Sequence, residues 1–382
     1  MKISTAIKYI GVYDRDIDLF EGQYRVPQGI SYNSYMIIDE KIVIIDTADA
    51  RKGTEWWKNL LDALDGRTPD YLVSLHMEPD HSSLIAEVME RFPTLQVVAT
   101  PKALQMMPRF FEGVDFAERG IPVKEGDTLS LGSHELTFVH APMVHWPEVM
   151  VCYESSEKVL FSADAFGYFG APSLDEPWDD EARRYYINIC GKYGAQVQTL
   201  LKKASQFDID TICPLHGPVL KENLSHYLSL YDTWSSYRPE CDGVFIPYAS
   251  IYGGTAAAAH RIADLLRERG VQVIITDLAR CDMSKAVSDA FRMSRMIVCA
   301  ASYDAGVFTP MHDFLYRLKI KGFRNRRVGI VENGSWAPTA GRVMRGLLEE
   351  MKNIDIIPTT VTISSRMKAE NSDAVAALVE SI

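Results

Sequence analysis

Two hydrophobic rhythms run along the chain, and one gives way to the other around Tyr237-Arg238-Pro239-Glu240-Cys241-Asp242. Before that point, short apolar runs follow one another with turn residues between them. Residues 24–26, 34–38 and 42–45 read as strands, the last two joined at Asp39-Glu40-Lys41 as a hairpin with one face buried. A helix carrying Trp56, Trp57, Leu60, Leu61 and Leu64 comes next, then the apolar run 71–75. Pro79 lacks an amide hydrogen, so that strand is expected to end there. Leu84, Ile85, Val88, Met89 and Phe92 then recur at helical spacing, with Ser82 and Ser83 in place as caps. From Gly243 onward, strands at 243–248, 271–276, 296–300, 327–331 and 354–363 alternate with amphipathic segments. Five β-α units of this kind predict a doubly wound parallel sheet, with ligands at the carboxyl ends of its strands.

A length of 382 residues suffices for two domains with full cores. The net charge of −11 argues against nucleic acid or an anionic membrane as the main partner. Six cysteines, at 152, 190, 213, 241, 281 and 299, form no CxxC pair, which excludes a zinc ribbon or rubredoxin-like module in this sequence. Several lie in apolar runs, as reduced thiols do in cytosolic proteins. The opening Met1-Lys2-Ile3-Ser4 has no signal-peptide core, and no apolar run approaches about eighteen residues. Neither export nor a transmembrane helix is therefore expected.

The first stretch also carries the candidate chemistry. His76-Met77-Glu78-Pro79-Asp80-His81 places two imidazoles and two carboxylates at a strand-to-helix turn. Three further strands end in the same way. Residues 135–140 lead to Met143-Val144-His145-Trp146-Pro147, residues 158–161 to Ser162-Ala163-Asp164, and residues 210–213 to Pro214-Leu215-His216. The set His76, Glu78, Asp80, His81, His145, Asp164 and His216 exceeds one tetrahedral ion but suits two ions if one carboxylate bridges. Imidazoles and carboxylates without thiolate fit non-haem iron, manganese or a di-zinc hydrolase. The bland alternatives are a polar loop with two stray histidines and, for Asp164, a helix cap. His140 is an alternative ligand to His145, though its place at the strand end suits a packed role beside the metals better. His134, His226, His260 and His312 stand in polar or helical contexts and carry no assignment.

In the second stretch, Ser250, Ile251, Tyr252, Gly253, Gly254 and Thr255 open a helix. Small and hydroxyl residues at a helix N-terminus cradle phosphate with backbone amides. The turn is neither a Walker A loop nor GxGxxG. Two later strand ends, Ser302, Tyr303, Asp304, Ala305, Gly306 and Asn333, Gly334, Ser335, Trp336, each combine an aromatic ring with polar loop residues. That combination suits a flat amphipathic ring system such as flavin.

Two resemblances rest on these residues. The stretch Gly29-Ile30-Ser31-Tyr32-Asn33-Ser34-Tyr35 and the order of the metal loops resemble the metallo-β-lactamase superfamily, whose usual HxHxDH has Glu78 at its second histidine here. The HxExDH loop, His145-Trp146-Pro147, Asp164-Ala165-Phe166-Gly167 and His216-Gly217-Pro218 together resemble the flavodiiron proteins, or A-type flavoproteins. The resemblance implies an α/β chain, with an αββα sandwich over residues 1–240 carrying two iron ions. A flavodoxin-like doubly wound parallel sheet with FMN follows over residues 243–382. It implies His76, Glu78 and His145 on one iron, Asp80, His81 and His216 on the other, and Asp164 between them. It further implies reduction of dioxygen to water or of nitric oxide to nitrous oxide, without a protein nucleophile. Electrons would come from rubredoxin or another small donor, in a cytoplasmic head-to-tail homodimer or dimer of dimers, with no rubredoxin or reductase extension expected after Ile382. The family usually has aspartate after His-Trp-Pro, where this chain has Glu148, a position that is not a ligand. In the flavodoxin-like half, Ala301 stands where proline is frequent and Asn333-Gly334-Ser335 replaces the frequent Ser-Tyr-Gly. His140 and Tyr193 are expected beside the metals. The alternatives are a di-zinc hydrolase fused to a flavodoxin-like domain, and a redox carrier or gas sensor without turnover. Glu78 weighs against the hydrolase, because a carboxylate adds negative charge and a hard donor that favour iron over zinc.

Overall fold

A computed structural model describes residues 3–171 and 178–382, so Met1 and Lys2 of the opening lie outside the described residues. The chain divides into two compact units: Met1–Tyr186 with Ala195–Tyr231, and Ile187–Gly194 with Asp232–Ile382.

The first unit holds two sheets. One runs in sequential order through β1 (Ile7–Tyr9), β2 (Tyr35–Ile38), β3 (Ile42–Ile45), β4 (Tyr71–Val73), β5 (Gln96–Ala99) and β6 (Gly120–Pro122). β1 to β3 pair antiparallel and β3 to β6 parallel. The other runs through β7 (Thr128–Ser130), β8 (Glu135–His140), β9 (Met150–Glu154), β10 (Val159–Phe161) and β11 (Thr211–Cys213), antiparallel except for its last pair. Tyr35 of β2 meets Phe161 of β10 with ring centroids 5.3 Å apart, so the sheets face each other through their apolar sides.

The structure corrects three sequence readings. The β2–β3 hairpin is buried on both faces, from Tyr35 to Ile37 and from Ile42 to Ile45, because it lies inside a layered unit. The strand leading to the histidine loop stops at Val73, well before Pro79. Its ladder is replaced by a side chain: the Leu75 and His76 amides donate to Asp46 Oδ1 at 2.9 and 3.4 Å. Pro79 instead opens a short helical turn, Pro79–Ser82, where a missing amide costs nothing. Ser82 and Ser83 do not cap the following helix, Ile85–Arg91, which has Leu84 at its N-cap. Their hydroxyls donate to the Met77 and Pro79 carbonyls.

The second unit is one sheet of β12 (Cys241–Ala249), β13 (Gln272–Asp277), β14 (Met293–Tyr303), β15 (Arg324–Asn333) and β16 (Lys352–Ile363). The spatial order is β13-β12-β14-β15-β16, and every one of these pairs is parallel. Val244, Ile246, Ile297 and Val331 pack with Ala258, Ile262 and Leu266 of the helix Gly254–Glu268. The strand order reverses at β12, and sheets of this kind take their ligands at such a reversal, beyond the carboxyl ends of β12 and β14. At the opposite end, buried Arg326 donates to the carbonyls of Phe291, Met293 and Tyr237 at 2.6, 2.7 and 2.9 Å.

Candidate functional site

The four strand-end loops of the first unit converge. His76 Nε2 lies 3.3 Å from Glu78 Oε2, 3.4 Å from His145 Nε2 and 3.4 Å from Asp164 Oδ2. His145 Nε2 lies 3.0 Å from Glu78 Oε2 and 3.1 Å from Asp164 Oδ2. Beside this group, His81 Nε2 and His216 Nε2 face each other at 3.1 Å. Asp164 Oδ1 is 3.3 Å from the first and 3.8 Å from the second, and Asp80 Oδ2 is 3.5 and 3.3 Å away. His76, Glu78, His145 and Asp164 thus make one set of converging donors, and Asp80, His81 and His216 another. The two oxygens of Asp164 face the two sets separately.

The loops are held by residues that the sequence reading did not single out for this role. Asp46, at φ +51°, takes the Leu75 and His76 amides. Thr47 donates to the His81 carbonyl at 2.7 Å. Asn33 Nδ2 donates to the carbonyls of Pro214 and Gly217, each at 2.8 Å, and the Tyr35 hydroxyl reaches the Pro214 carbonyl at 2.6 Å. His216 Nδ1 donates to the Ser31 carbonyl at 2.7 Å. Gly217, at φ +85°, admits no side chain, since a Cβ there would meet Tyr168 at 2.7 Å. Asp46-Thr47 follows an apolar strand as the ligands do, a signal that could have found it. His140, expected beside the metals, turns its Nε2 to the Val123 carbonyl instead, at 3.1 Å. Tyr193 belongs to the second unit, in the turn Gly191–Tyr193.

Charge in the cluster is arranged for cations. Burial alone would lower the His145 pKa, but Asp164 and Glu78 raise it to about 9. His76 is likewise lowered by burial yet held well above its usual value by Asp164, Glu148 and Glu78. Burial would raise Glu78 and Asp164, but the facing imidazoles keep both below the usual carboxylate range. Both oxygens of Asp80 and of Asp164, and His81 Nδ1, lack a well-formed hydrogen bond although they are buried. Buried carboxylates in that condition are costly unless a cation answers them. Facing imidazole nitrogens at 3.1 and 3.4 Å repel unless a proton or a metal lies between them. Hard oxygens and imidazoles without thiolate suit iron.

In the second unit, the helix Gly254–Glu268 begins behind Gly253 at φ +86° with no side-chain cap, leaving its first amides for a ligand. Ser250 Oγ accepts from the Gly253 amide at 3.2 Å. Tyr252 is fully exposed, Trp336 is 92% exposed, and Tyr303 and Ile251 are also uncovered, all at strand carboxyl ends. Large rings left in solvent there mark a binding surface. Asp304 and Ala305 have positive φ and turn the chain so that Gly306–Val307 pairs back on Ser302 and Tyr303. Ser302 Oγ accepts from the Thr339 and Ala340 amides, and Asn333 exchanges two hydrogen bonds with Ser365, so both side chains are spent on the protein. Ser335 Oγ meets Ser365 Oγ at 2.7 Å. Ser365, at φ +70°, follows the last strand and was not singled out in sequence; a Cβ on Gly254 would meet its carbonyl at 2.0 Å.

Comparison with known proteins places this geometry. Residues 30–217 match the ODP family beta lactamase. The anaerobic nitric oxide reductase flavorubredoxin of Aeromonas hydrophila is 30% identical over 356 residues, covering 90% of this chain and 71% of its own. The chain belongs to the flavodiiron protein family. The uncharacterized protein MJ0732 of Methanocaldococcus jannaschii is also 30% identical, over 82% of this chain and 80% of its own. The rubredoxin oxygen:oxidoreductase of Desulfovibrio gigas superposes with a TM-score of 0.93 at 25% identity, over 100% of this chain and 97% of its own. A flavodiiron protein is an oxidoreductase of a family built around FMN and a di-iron centre, on a metallo-β-lactamase-like αββα sandwich followed by a flavodoxin-like sheet. The donors described above fit that centre. Among the described residues no helix is long and apolar enough to cross a membrane.

Proposed function

We propose that this flavodiiron protein reduces dioxygen to water, nitric oxide to nitrous oxide, or both, with electrons relayed through FMN from rubredoxin or another small donor. The observation that carries the reading is Asp164, whose two oxygens face two separate sets of imidazoles. His76, Glu78 and His145 would hold one iron, Asp80, His81 and His216 the other, and Asp164 both. The relatives support the substrates: one is named for nitric oxide, and the D. gigas neighbour for rubredoxin and oxygen. Bound there, two irons supply two electrons and open positions for the gas, and reduced FMN supplies two more, against four for dioxygen and two for a pair of nitric oxides.

The chain's own residues supply the setting. Glu78, Asp80 and Asp164 bring three negative charges that offset the cations. Asp46, Thr47, Asn33 and Ser31 hold the loops at fixed positions, so the site needs little rearrangement when it fills. Residues 1–240 form the di-iron domain in this reading, and residues 243–382 the FMN domain. The amides following Gly253 would take the phosphate, and the loops at 250–255, 302–306 and 333–336 would border the ring. A cytoplasmic head-to-tail dimer completes the proposal. Glu78, 3.0 and 3.3 Å from two imidazoles, stands against a di-zinc hydrolase. Anaerobic steady-state kinetics with a reduced donor and each gas tests the reading. Multiple turnovers with either gas support it; hydrolase activity without gas consumption sinks it.

A further inference from the structure

Glu148 closes the loop that carries His145 and is 1% exposed. A carboxylate at that depth is costly unless its oxygens are engaged. Its Oε1 accepts from His76 Nδ1 and from the Met77 amide, both at 2.9 Å, while its buried Oε2 has no hydrogen-bond partner among the described residues, so the cost of burial is met through Oε1 alone. Its own carbonyl accepts from Thr100 Oγ1 at 2.9 Å, and Thr100 also caps the helix Pro101–Met106, so the backbone that aims the carboxylate is itself pinned. With Nδ1 donating, His76 keeps its Nε2 lone pair for the side where Glu78, His145 and Asp164 lie. Two other histidines of the cluster differ. His216 Nδ1 meets a neutral carbonyl, that of Ser31, and His81 Nδ1 has no hydrogen-bond partner among the described residues. Of these three imidazoles, His76 is the one backed by an anion. An anionic acceptor on the far nitrogen fixes the tautomer and raises the basicity of the ligating nitrogen.

We propose that Glu148 is a positioning residue for the His76 half of the centre. It locks His76 with Nδ1 protonated and makes its Nε2 the stronger donor. The iron held by His76, Glu78 and His145 is thereby bound more tightly and kept more ferric than it would be without that charge. The inference rests on the di-iron reading above. It also gives the His145 loop two functions, a ligand and the support of a ligand from another loop.

Glu148→Gln keeps the volume and an acceptor oxygen but removes the charge, and Glu148→Ala removes both. Full-length wild type and variants are loaded anaerobically with iron, and affinity is read by chelator competition, with circular dichroism and thermal unfolding as the folding control. One of the two irons is expected to bind about 10-fold more weakly in Glu148→Gln and about 100-fold more weakly in Glu148→Ala. Its midpoint potential is expected to rise in Glu148→Gln. Wild-type affinity and potential in Glu148→Gln overturn the proposal. Zinc-loaded protein labelled with 15N-histidine gives a readout independent of iron: His76 shows a protonated Nδ1 in the wild type, and that proton signal moves upfield in Glu148→Gln. A bare Nδ1 in the zinc-loaded wild type also overturns the proposal. A wild type that takes up zinc but never iron sinks the redox reading, and the NMR result still decides the role of Glu148.

Discussion

Replacing Asp164 by alanine removes the carboxylate that, among the described residues, faces both donor sets. Its oxygens stand 3.1 to 3.8 Å from the Nε2 atoms of His76, His145, His81 and His216, and the residue is completely buried. A unit-charge pair about 4 Å apart is worth about 4 kcal/mol at an effective dielectric of about 20. Losing that attraction for even one of the two irons weakens binding by about a thousandfold, at about 1.4 kcal/mol per decade. Each set would keep three protein donors, enough to hold a metal weakly but not to hold two cations side by side without the anion between them. Asp164→Ala is therefore expected to lose most of its iron after desalting, while FMN content and circular dichroism stay at wild-type values. Iron per chain by mass spectrometry after anaerobic reconstitution makes the measurement. A variant that retains two irons at wild-type affinity would refute the reasoning and remove Asp164 from the centre.

Three further predictions address other parts of the molecule. Glu78→His exchanges a hard anionic donor for neutral imidazole, so the zinc-to-iron ratio of cells grown with both metals should rise and gas reduction should fall sharply, with FMN unchanged; wild-type iron and turnover would take Glu78 out of the ligand set. Arg326→Met strands three buried carbonyls that the guanidinium now satisfies, and should cost about 3 kcal/mol or more in urea unfolding; a change under about 1 kcal/mol contradicts it. For the Asp39–His134 pair, 2.7 Å apart, burial would raise Asp39, but hydrogen bonds from His134, Ser133 and Glu40 hold it below its usual value. Burial would lower His134, but Asp39 and Glu157 raise it. The carboxylate's contribution is lost as pH falls through its depressed pKa, and the imidazolium's as pH rises through its raised one, so the pair stabilises most between about pH 4 and 6.5. Asp39→Asn should lower the urea midpoint more at pH 5 than at pH 9; equal losses at both would show that the charges do not matter.

The parts legible in sequence share a physical reason. Parallel strands buried on both faces read as near-continuous apolar runs, which is why the central strands β12, β14 and β15 of the second unit are legible; the edge strands β13 and β16 are less buried and show through shorter apolar segments such as Val273-Ile274-Ile275. The seven donors stood out because each follows such a run, and a strand end is a rigid place to hang a side chain. What supports the donors did not stand out, because it acts across long stretches of chain and through backbone atoms. Asn33 reaches carbonyls more than 180 residues away, and Asp46 stands in for a missing strand partner. Pro79 is ambiguous in sequence because a residue without an amide fits the first turn of a helix as well as it ends a strand. Ser302 and Asn333 look like ligand residues in sequence, yet their side chains serve a helix start and a neighbouring loop, which only the fold brings near. Glu148 stands three residues past a ligand, and nothing in the sequence shows that its carboxylate turns to His76.

In the proposed centre two metal ions share one site through Asp164. Mössbauer spectroscopy on full-length protein reconstituted with 57Fe tests it most directly. Two irons per chain are expected, distinguishable from each other and magnetically coupled. A single iron, or two that behave as isolated ions, would contradict it.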